Sequence, residues 1–546
     1  MGRREKTAGL ILLVIASLSF FLSIKNFYHN HTNAAAAVGG SYTEGVLGQP
    51  SYINPLLALN DPDLTLAGLV FSGLYKYNTE GKLVPDLAES LPQISEDQKQ
   101  YTVNLRHDAK WHNGRPVTAD DIIFTIQLLK DPSSKSPLRA LWQSTNVEKL
   151  SDFSVKFTTK DISGPFIDNL TLGILPQSVW TNLEPQNFLL SKLNLEAVGS
   201  GPYSVAEINK LPNGKIQQLT LQANANYYAG MPKIGRIIFK FYDIEEDILN
   251  AFHSREIDGF GFTPLGSNLF VNEDQPKVNI ITSELPQQQV VFFNLNNKIL
   301  ADQNVRQALT LATDKQQIIN EVFKGKAFLP SSPFLFSAEK NETLPAEANL
   351  EQANVLLDTA GYKLDPETNL RTKQKVILEL TISTNDSSVN AKAAEILANQ
   401  WKQLNIKVNL SVVPGKQLMD QNIKPRNFDV LLFPQKFGAD PDPFLFWHSS
   451  QVKDPGYNLT GFKDQETDRL IADSRTTTDK QIRKDNYTKL SELILKKFPV
   501  IFLDQTEYIY VLDSKIKNAS IGKLYNPSQR FTDVANWYIV EKRVWK

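Results

Sequence analysis

Apolar and polar positions alternate along this chain with two different periods, and the change of period is clearest between residues 376 and 412. Val376, Leu378, Leu380 and Ile382 occupy every second position, which predicts a strand. Val389, Ala393, Ile396, Leu397 and Leu404 then recur at helical spacing and predict a helix with one buried face. Ile406, Val408, Leu410 and Val412 return to the period of two. A helix of that length between two strands predicts a parallel pair. The apolar run 428–433 predicts a further, fully buried strand of the same sheet.

Helix ends are readable elsewhere. Thr118 with Asp121 predicts a capping-box start for a helix whose apolar stripe is Ile122, Ile126 and Leu129. Asp302 predicts the cap of a helix carrying Val305 and Leu309, and Thr313 with Gln316 the start of a second that ends near Gly325. Gly361 closes a helix whose inner face is Ala353, Leu356, Leu357 and Ala360, and Asn113-Gly114 is a tight turn. Strands and helices alternate throughout, so the fold class is α/β with more than one sheet.

One segment departs from both periods. Residues 7–24 carry no charge, and Arg3, Arg4 and Lys6 precede them. A membrane span needs about 20 apolar residues and a basic flank stays in the cytoplasm. The pattern predicts a cytoplasmic segment 1–6, an anchor over 7–24, and everything beyond it on the outer face of the cytoplasmic membrane. A cleaved signal peptide is the rival reading, with alanines 34–37 as the peptidase site. The polar spacer containing Lys25, Asn26, His29, Asn30 and His31 separates those alanines from the apolar run and favours an uncleaved anchor. Residues 25–40 read as a solvated linker, and the His29-x-His31 pair has no further ligand near it in sequence.

Composition narrows the chemistry. A chain of 546 residues needs several domains. A net charge of −1 argues against a nucleic-acid partner. The absence of cysteine excludes disulfides, thiolate metal sites, cysteine nucleophiles and a lipid-modified cysteine. The remaining histidines, His107, His112, His253 and His448, fall in no metal-ligand spacing, and no nucleophile elbow or Walker lysine is present. Neither a cofactor nor a catalytic residue is expected. A protein of this size without such signatures reads as a binder, which needs a cleft between lobes, a few placed polar groups and a way to close.

Several segments in order carry a resemblance. They are Asn54-Pro55-Leu56-Leu57, Leu83-Val84-Pro85-Asp86-Leu87-Ala88-Glu89-Ser90, and the block from Leu105-Arg106-His107-Asp108-Ala109-Lys110-Trp111-His112-Asn113-Gly114 into Pro116-Val117-Thr118-Ala119-Asp120-Asp121. Gly199-Ser200-Gly201-Pro202-Tyr203, Asn226-Tyr227-Tyr228-Ala229-Gly230, Val305-Arg306-Gln307-Ala308-Leu309 and Asp440-Pro441-Asp442-Pro443-Phe444 follow. Together they resemble the extracellular solute-binding proteins of family 5, the oligopeptide-, dipeptide- and nickel-binding group. The resemblance implies a two-lobed, type II periplasmic-binding-protein-like fold with a hinge and an accessory domain in the first lobe. Residues 41–75, 195–288 and 510–546 would form the ligand-facing part of lobe one, 76–194 its accessory domain, and 289–509 lobe two. Arg106, Trp111 and Asp120 read as scaffold, as do the glycines of the Gly-Ser-Gly-Pro-Tyr stretch, which fit a tight turn.

The same resemblance implies a monomer that captures peptides and delivers them to the permease and ATPase subunits of an ABC importer. The peptide would lie extended between the lobes, paired through its backbone. Within Phe437, Gly438, Ala439, Asp440 and Asp442, the first candidate to hold the peptide α-ammonium is Asp440 and the second is Asp442, with both as turn residues the plain alternative. Asn60 and Asp61 are the candidates across the cleft. The chain departs from the family pattern at Pro434-Gln435-Lys436 and at 415–418, where aromatic residues are missing, and Phe433, Phe437 and Phe444 are the available substitutes. Other readings remain open: a family-5 binder of an oligosaccharide or metal chelate, with His448 as the late-chain candidate ligand; a sensory binding protein without its own permease; and a hydrolase acting in the cleft.

Overall fold

The structure is a computed structural model that describes residues 3–262, 278–330, 332–334 and 348–545, with the side chains of residues 3–12, 14 and 480 outside the description. One mixed sheet of eleven strands runs through the molecule. Its strands, in chain order, are β1 (Ser41–Leu47), β2 (Tyr203–Lys210), β3 (Ile216–Ala223), β4 (Arg236–Tyr242), β5 (Gly259–Phe262), β6 (Val278–Phe293), β7 (Glu379–Asn385), β8 (Lys407–Val413), β9 (Val430–Lys436) and β10 (Val500–Asp513), with Ala327–Phe328 paired to β10 off the main path. Their spatial order is β8-β7-β9-β6-β10-β5-β1-β4-β3-β2. The helices used below are α1 (Arg3–His31), α2 (Asp61–Val70), α3 (Ala119–Lys130), α4 (Ser388–Lys402), α5 (Gln465–Arg475) and α6 (Lys480–Lys497).

The predicted strand–helix–strand is β7, α4 and β8, with β7 and β8 parallel from Glu379↔Lys407 to Asn385↔Val413. Leu380, Ile382, Val389, Ala393, Ile396 and Leu397 are all buried. Two positions differ from the expected pattern. Val376 is 64% exposed, because it belongs to a separate small three-stranded sheet with Lys363–Leu364 and Arg371–Lys373. Leu410 and Val412 are exposed because β8 is the edge of the sheet.

Side chains alternate across β6, β9 and β10 into two separate cores, as a sheet covered on both faces requires. Val291, Phe293, Val430, Leu432, Ile501 and Leu503 enter one with α4. Val290, Phe292, Leu431, Val500 and Phe502 enter the other with α5, α6 and Trp447. Lobe one has a larger core, in which Tyr101, Ile122, Val155 and Phe157 of the four-stranded accessory sheet and α3 join Tyr42, Leu66 and Phe239. The accessory region therefore shares lobe one's core.

The lobes meet along two long antiparallel strands. β6 pairs with β10 from Val278↔Asp513 to Glu284↔Glu507 and again from Gln288↔Gln505 to Phe292↔Val500. Between these stretches Leu285, Pro286 and Gln287 oppose Thr506 alone, and the ladder is broken. Pro286 has no N–H to donate. Its carbonyl instead accepts from Phe437 N at 2.8 Å. β6 pairs with β9 only from Gln287 onward, and β10 pairs with β5 only over Ile509–Leu512, so the break lies where the two lobes' sheets join.

Local expectations fare differently by how local they are. Asp121 accepts from Thr118 N at 2.9 Å at the start of α3, and Asp302 accepts from Asn304 N at 2.9 Å. The next helix, Lys315–Val322, is capped by Asp314 rather than Thr313, whose hydroxyl donates back to Leu309 O. Gly199 and Gly201 make no left-handed turn. A Cβ on Gly199 would lie 1.9 Å from Val70 O and one on Gly201 2.5 Å from Leu69 O, so these glycines allow the chain to pass against the end of α2. The expected linker over 25–40 is also corrected: α1 continues to His31, and Thr32–Ala37 pairs antiparallel with Val540–Trp545. Among the described residues no helix is long and apolar enough to cross a membrane. The side chains that would make up much of the predicted 7–24 span lie outside them.

Asp504, opposite Gln289 beside the break, is fully buried and neither carboxylate oxygen has a hydrogen-bond partner among the described residues. Burial pushes its carboxyl well above the usual carboxylate range. The folded chain keeps a proton that the unfolded chain releases above about pH 4, so this group makes stability fall as pH rises from that point toward the raised folded value. Asp504→Asn removes the titration. Its melting temperature, measured by calorimetry on ligand-free protein, should exceed wild type by on the order of a few degrees at pH 8 and by much less at pH 4. An equal shift at both pH values would show that Asp504 is ionised in the fold.

Candidate functional site

β9 ends at Lys436 and the chain turns through 437–443 into a short helix, Phe444–Trp447. Phe437 starts this turn inside the lobe: it is buried, with its ring against Phe334 and Phe446. It is thus part of the lobe-two core rather than an aromatic cleft wall. Gly438 is exposed and Ala439 half-buried, and the backbone of 438–440 has no hydrogen-bond partner among the described residues. Asp440 is not a bare carboxylate. Both of its oxygens accept from Arg483 Nη2, at 2.7 and 2.6 Å, and the same nitrogen donates to Tyr487 hydroxyl at 2.8 Å. Asp442 pairs with Arg475 Nε at 3.1 Å and accepts from Phe444 N at 3.1 Å, so it is both turn cap and ion partner. Burial raises the Asp442 carboxyl above its ordinary range, partly offset by Arg475. α5 and α6 form the hairpin that delivers both arginines, Arg475 in the last turn of α5 and Arg483 in the first turn of α6. Two negative and two positive charges therefore cancel within the loop.

Lobe one lies directly against the α5–α6 hairpin. Gly164 N donates to Arg475 O at 2.9 Å, Thr478 donates to Gln98 Oε1 at 2.7 Å, and a Cβ on Gly164 would come within 3.4 Å of the Arg483 guanidinium carbon. The Tyr77 hydroxyl bonds to Asp168. Burial, Asp168 and, across the boundary, the charge of Asp440 all push that hydroxyl up.

On the lobe-one side a cavity of about 150 Å³ opens at the carboxyl ends of the parallel strands β1 and β5, lined by residues that include Val46, Asp61, Glu245, Phe260, Tyr508 and Arg530. Crevices at strand carboxyl ends are where α/β sheets hold ligands. Asp61 is exposed at this cavity. Asn60 is engaged elsewhere, since its side chain accepts from Asp63 N at 2.8 Å and caps α2. Beneath the cavity Glu44 and Arg530 form a fully buried pair at 2.9 Å, completed by Tyr42, Tyr510 and Thr65. No sequence motif links residues 44 and 530, so nothing in the chain's patterning predicts this network.

The remaining candidates are structural. Gln435, where the family aromatic is missing, is buried and accepts from Gln288 Nε2 at 3.0 Å. Leu418 packs in the core, and Phe444 lies under Arg475 at 4.1 Å. His448 Nδ1 bonds to Ser450 Oγ at 2.8 Å and its ring lies tilted against Phe444. Trp111 is buried and donates to Asp121, and Arg106 lies over Tyr228.

Residues 82–456 match the profile described as bacterial extracellular solute-binding proteins, family 5 Middle. The chain belongs to this family. It is 25% identical to the oligopeptide-binding protein AppA of Bacillus subtilis, over 99% of this chain and 100% of that protein. Among solved structures it resembles the ABC transporter substrate-binding protein CtaP of Listeria monocytogenes, with a TM-score of 0.79 and 26% identity over 92% of this chain and 99% of that one. It also resembles NikZ of Campylobacter jejuni in complex with Ni(L-His), with a TM-score of 0.75 and 26% identity over 91% and 99% of the two chains. The two-lobed fold is that of this family. Like its relatives the chain is a non-enzymatic, extracytoplasmic solute-binding protein of ABC transport.

The Asp440–Arg483 pair is largely buried, with side chains 9% and 16% exposed. Removing one partner of a buried pair leaves the other uncompensated, at a cost of about 3–5 kcal/mol. Arg483→Met and Asp440→Asn should each lower the denaturation midpoint, and the double variant should recover most of the loss. Additive losses in the double variant would show that the pair is not coupled.

Proposed function

We propose that this member of family 5 binds peptides between its lobes and passes them to the permease of an ABC importer. The observation that carries the reading is the 438–440 backbone, which has no hydrogen-bond partner among the described residues, is opened by an exposed glycine and carries the acidic Asp440 at the boundary with lobe one. An extended peptide pairs with such a backbone whatever its side chains are. In this reading Asp440 receives the peptide α-ammonium, exchanging one of its two bonds to Arg483 for a charge-assisted bond to the ligand. Asp61 faces the peptide from the lobe-one cavity. Residues 289–509 act as lobe two and close on residues 41–75, 195–288 and 510–546 by bending at the break in the β6–β10 ladder. The names of relatives agree: AppA is an oligopeptide-binding protein and MppA of Escherichia coli a periplasmic murein peptide-binding protein.

The same proposal keeps α1 as the membrane anchor. Its support is a helix of 29 residues, about 44 Å long. Phe20, Phe21 and Leu22 are consecutive and all exposed, so no single face of the helix is packed on the protein.

Two measurements test this. Calorimetry should show a free-amine peptide binding wild type at least tenfold more tightly than its N-acetylated form, since breaking a buried charged contact costs about 2–5 kcal/mol. Asp440→Asn should lose the difference, while Arg483→Met, which leaves the peptide as the only counter-ion of Asp440, should bind the free amine more tightly. Equal binding of the two peptides by wild type removes the ammonium pocket, and failure to bind any peptide removes the peptide reading. Native protein should fractionate with membranes and keep residues 7–24; a mature N-terminus at or after Ala37 would overturn the anchor.

A further inference from the structure

The end of α1 and the last strand of the protein form one surface. Thr32–Ala37 and Val540–Trp545 pair in register, Thr32 opposite Trp545. Arg543 Nη1 donates to His29 O, to Thr32 O and to Thr32 Oγ1, each at 3.2 Å, and so ties the last strand to the helix end. Trp545 is thereby set against the helix: its ring centroid is 5.7 Å from Tyr28, edge-on, and 6.5 Å from Phe27. This aromatic group is not a core. Phe27 is 57% exposed, Tyr28 43% and Trp545 65%, although the other six tryptophans of the chain are at most 2% exposed. Further exposed apolar residues, Ile24, Leu22, Phe21 and Phe20, stand up the helix, with Ser23, Lys25 and Asn26 between them and the aromatic group. Lys25 is exposed on the adjoining helix turn; along the strand, Arg543 and the exposed Glu541 share the face of Trp545, and the exposed Lys542 is on the other.

A helix end that exposes Phe20, Phe21, Leu22 and Ile24 and finishes in an exposed cluster of Trp, Tyr and Phe, with Lys25 one turn away, has the composition of a segment leaving a lipid bilayer. Trp and Tyr concentrate at headgroup level because their rings are apolar with one polar edge, and lysines there meet anionic headgroups. The geometry points to a membrane-docking surface in which Trp545, carried by the C-terminal strand, joins Phe27 and Tyr28 at the headgroup layer of an anionic phospholipid bilayer and holds the binding domain at a set orientation to the membrane. This inference rests on α1 being membrane-associated. It adds that the domain is held at the membrane surface by its last strand, where the sequence predicted a flexible tether.

The exposed tryptophan makes the test selective. Full-length protein is reconstituted into phosphatidylcholine–phosphatidylglycerol vesicles, and its emission is quenched either with acyl-chain-brominated lipid or with aqueous iodide. The expected result is a bromolipid-quenchable component in wild type that is lost in Trp545→Phe, together with less iodide quenching than the same protein shows in detergent-free solution. Protein that floats with vesicles but shows no bromolipid component, with Trp545 open to iodide, overturns the inference and leaves the anchor standing. Protein that floats while Trp545 is shielded from both quenchers means that a second protein chain covers this face, which also overturns it. Protein that does not float removes the anchor and the inference together.

Discussion

β6 and β10 run through both lobes, so a single hydrogen-bond ladder has to serve as core in each lobe and as joint between them. A continuous antiparallel ladder of this length is stiff, and a bend within it would leave buried backbone groups unpaired. The chain resolves this with one wide interruption of the ladder and a one-residue register shift just beyond it, between Gln289 and Val290. Three residues of β6, with a proline in the middle, oppose one residue of β10, and the groups freed there find other partners: Pro286 O takes Phe437 N, and Leu285 O takes the Gln505 side chain at 3.2 Å. The first of these ties the break to the loop that carries Asp440. If the lobes bend at this break, as proposed, their opening and the placement of that loop would be mechanically connected through Phe437, whose ring packs in the lobe-two core.

Charge is handled in the same way on both sides of the cleft. Glu44 and Arg530 are fully buried beneath the lobe-one cavity, and Asp440 and Arg483 nearly so in lobe two. Isolated charges at such depth would cost several kcal/mol each; paired and hydrogen-bonded, they are tolerated and they fix geometry. Glu44 stands on the first strand of the domain and Arg530 near its end, so their pair joins the first and last parts of lobe one under its ligand-facing surface. Asp504 is the exception. It has no counter-charge and no donor among the described residues, and the consistent state for it is the neutral acid.

What could be read from the sequence was what is local. The α4 crossover, the α3 cap and the Gly361 terminus depend on residues within one or two turns of each other, and they stand where their spacing placed them. Non-local features left no signal. Arg483 and Arg475 sit in helices that also carry Arg469, Lys484 and Lys489, and nothing in their spacing marks the two that meet the aspartates. The Gly199-Ser200-Gly201 stretch was visible but its reason was not, since close passage over α2 and a tight turn both ask for glycine. Val376, Leu410 and Val412 kept the strand period without the burial, because periodicity reports which side a residue faces and not whether anything covers that side.

A loop whose charges already cancel changes how selectivity in this cleft should be understood. A bare carboxylate would attract any cation that entered, whereas on the proposed reading Asp440 would give up part of its contact with Arg483 only to a donor placed as well as that guanidinium. A ligand is then favoured by geometry as much as by charge: an ammonium at the end of an extended backbone, able to pair with 438–440 while it reaches Asp440. The arginine displaced in part does not lose its environment, since Tyr487 stays bonded to it and lobe one's Gly164 lies against it. The proposed exchange would therefore take place at the surface that lobe one covers. On the proposed reading, closure and end-group recognition would be one event, which would let the binding site be tolerant of side chains without being open to every cation.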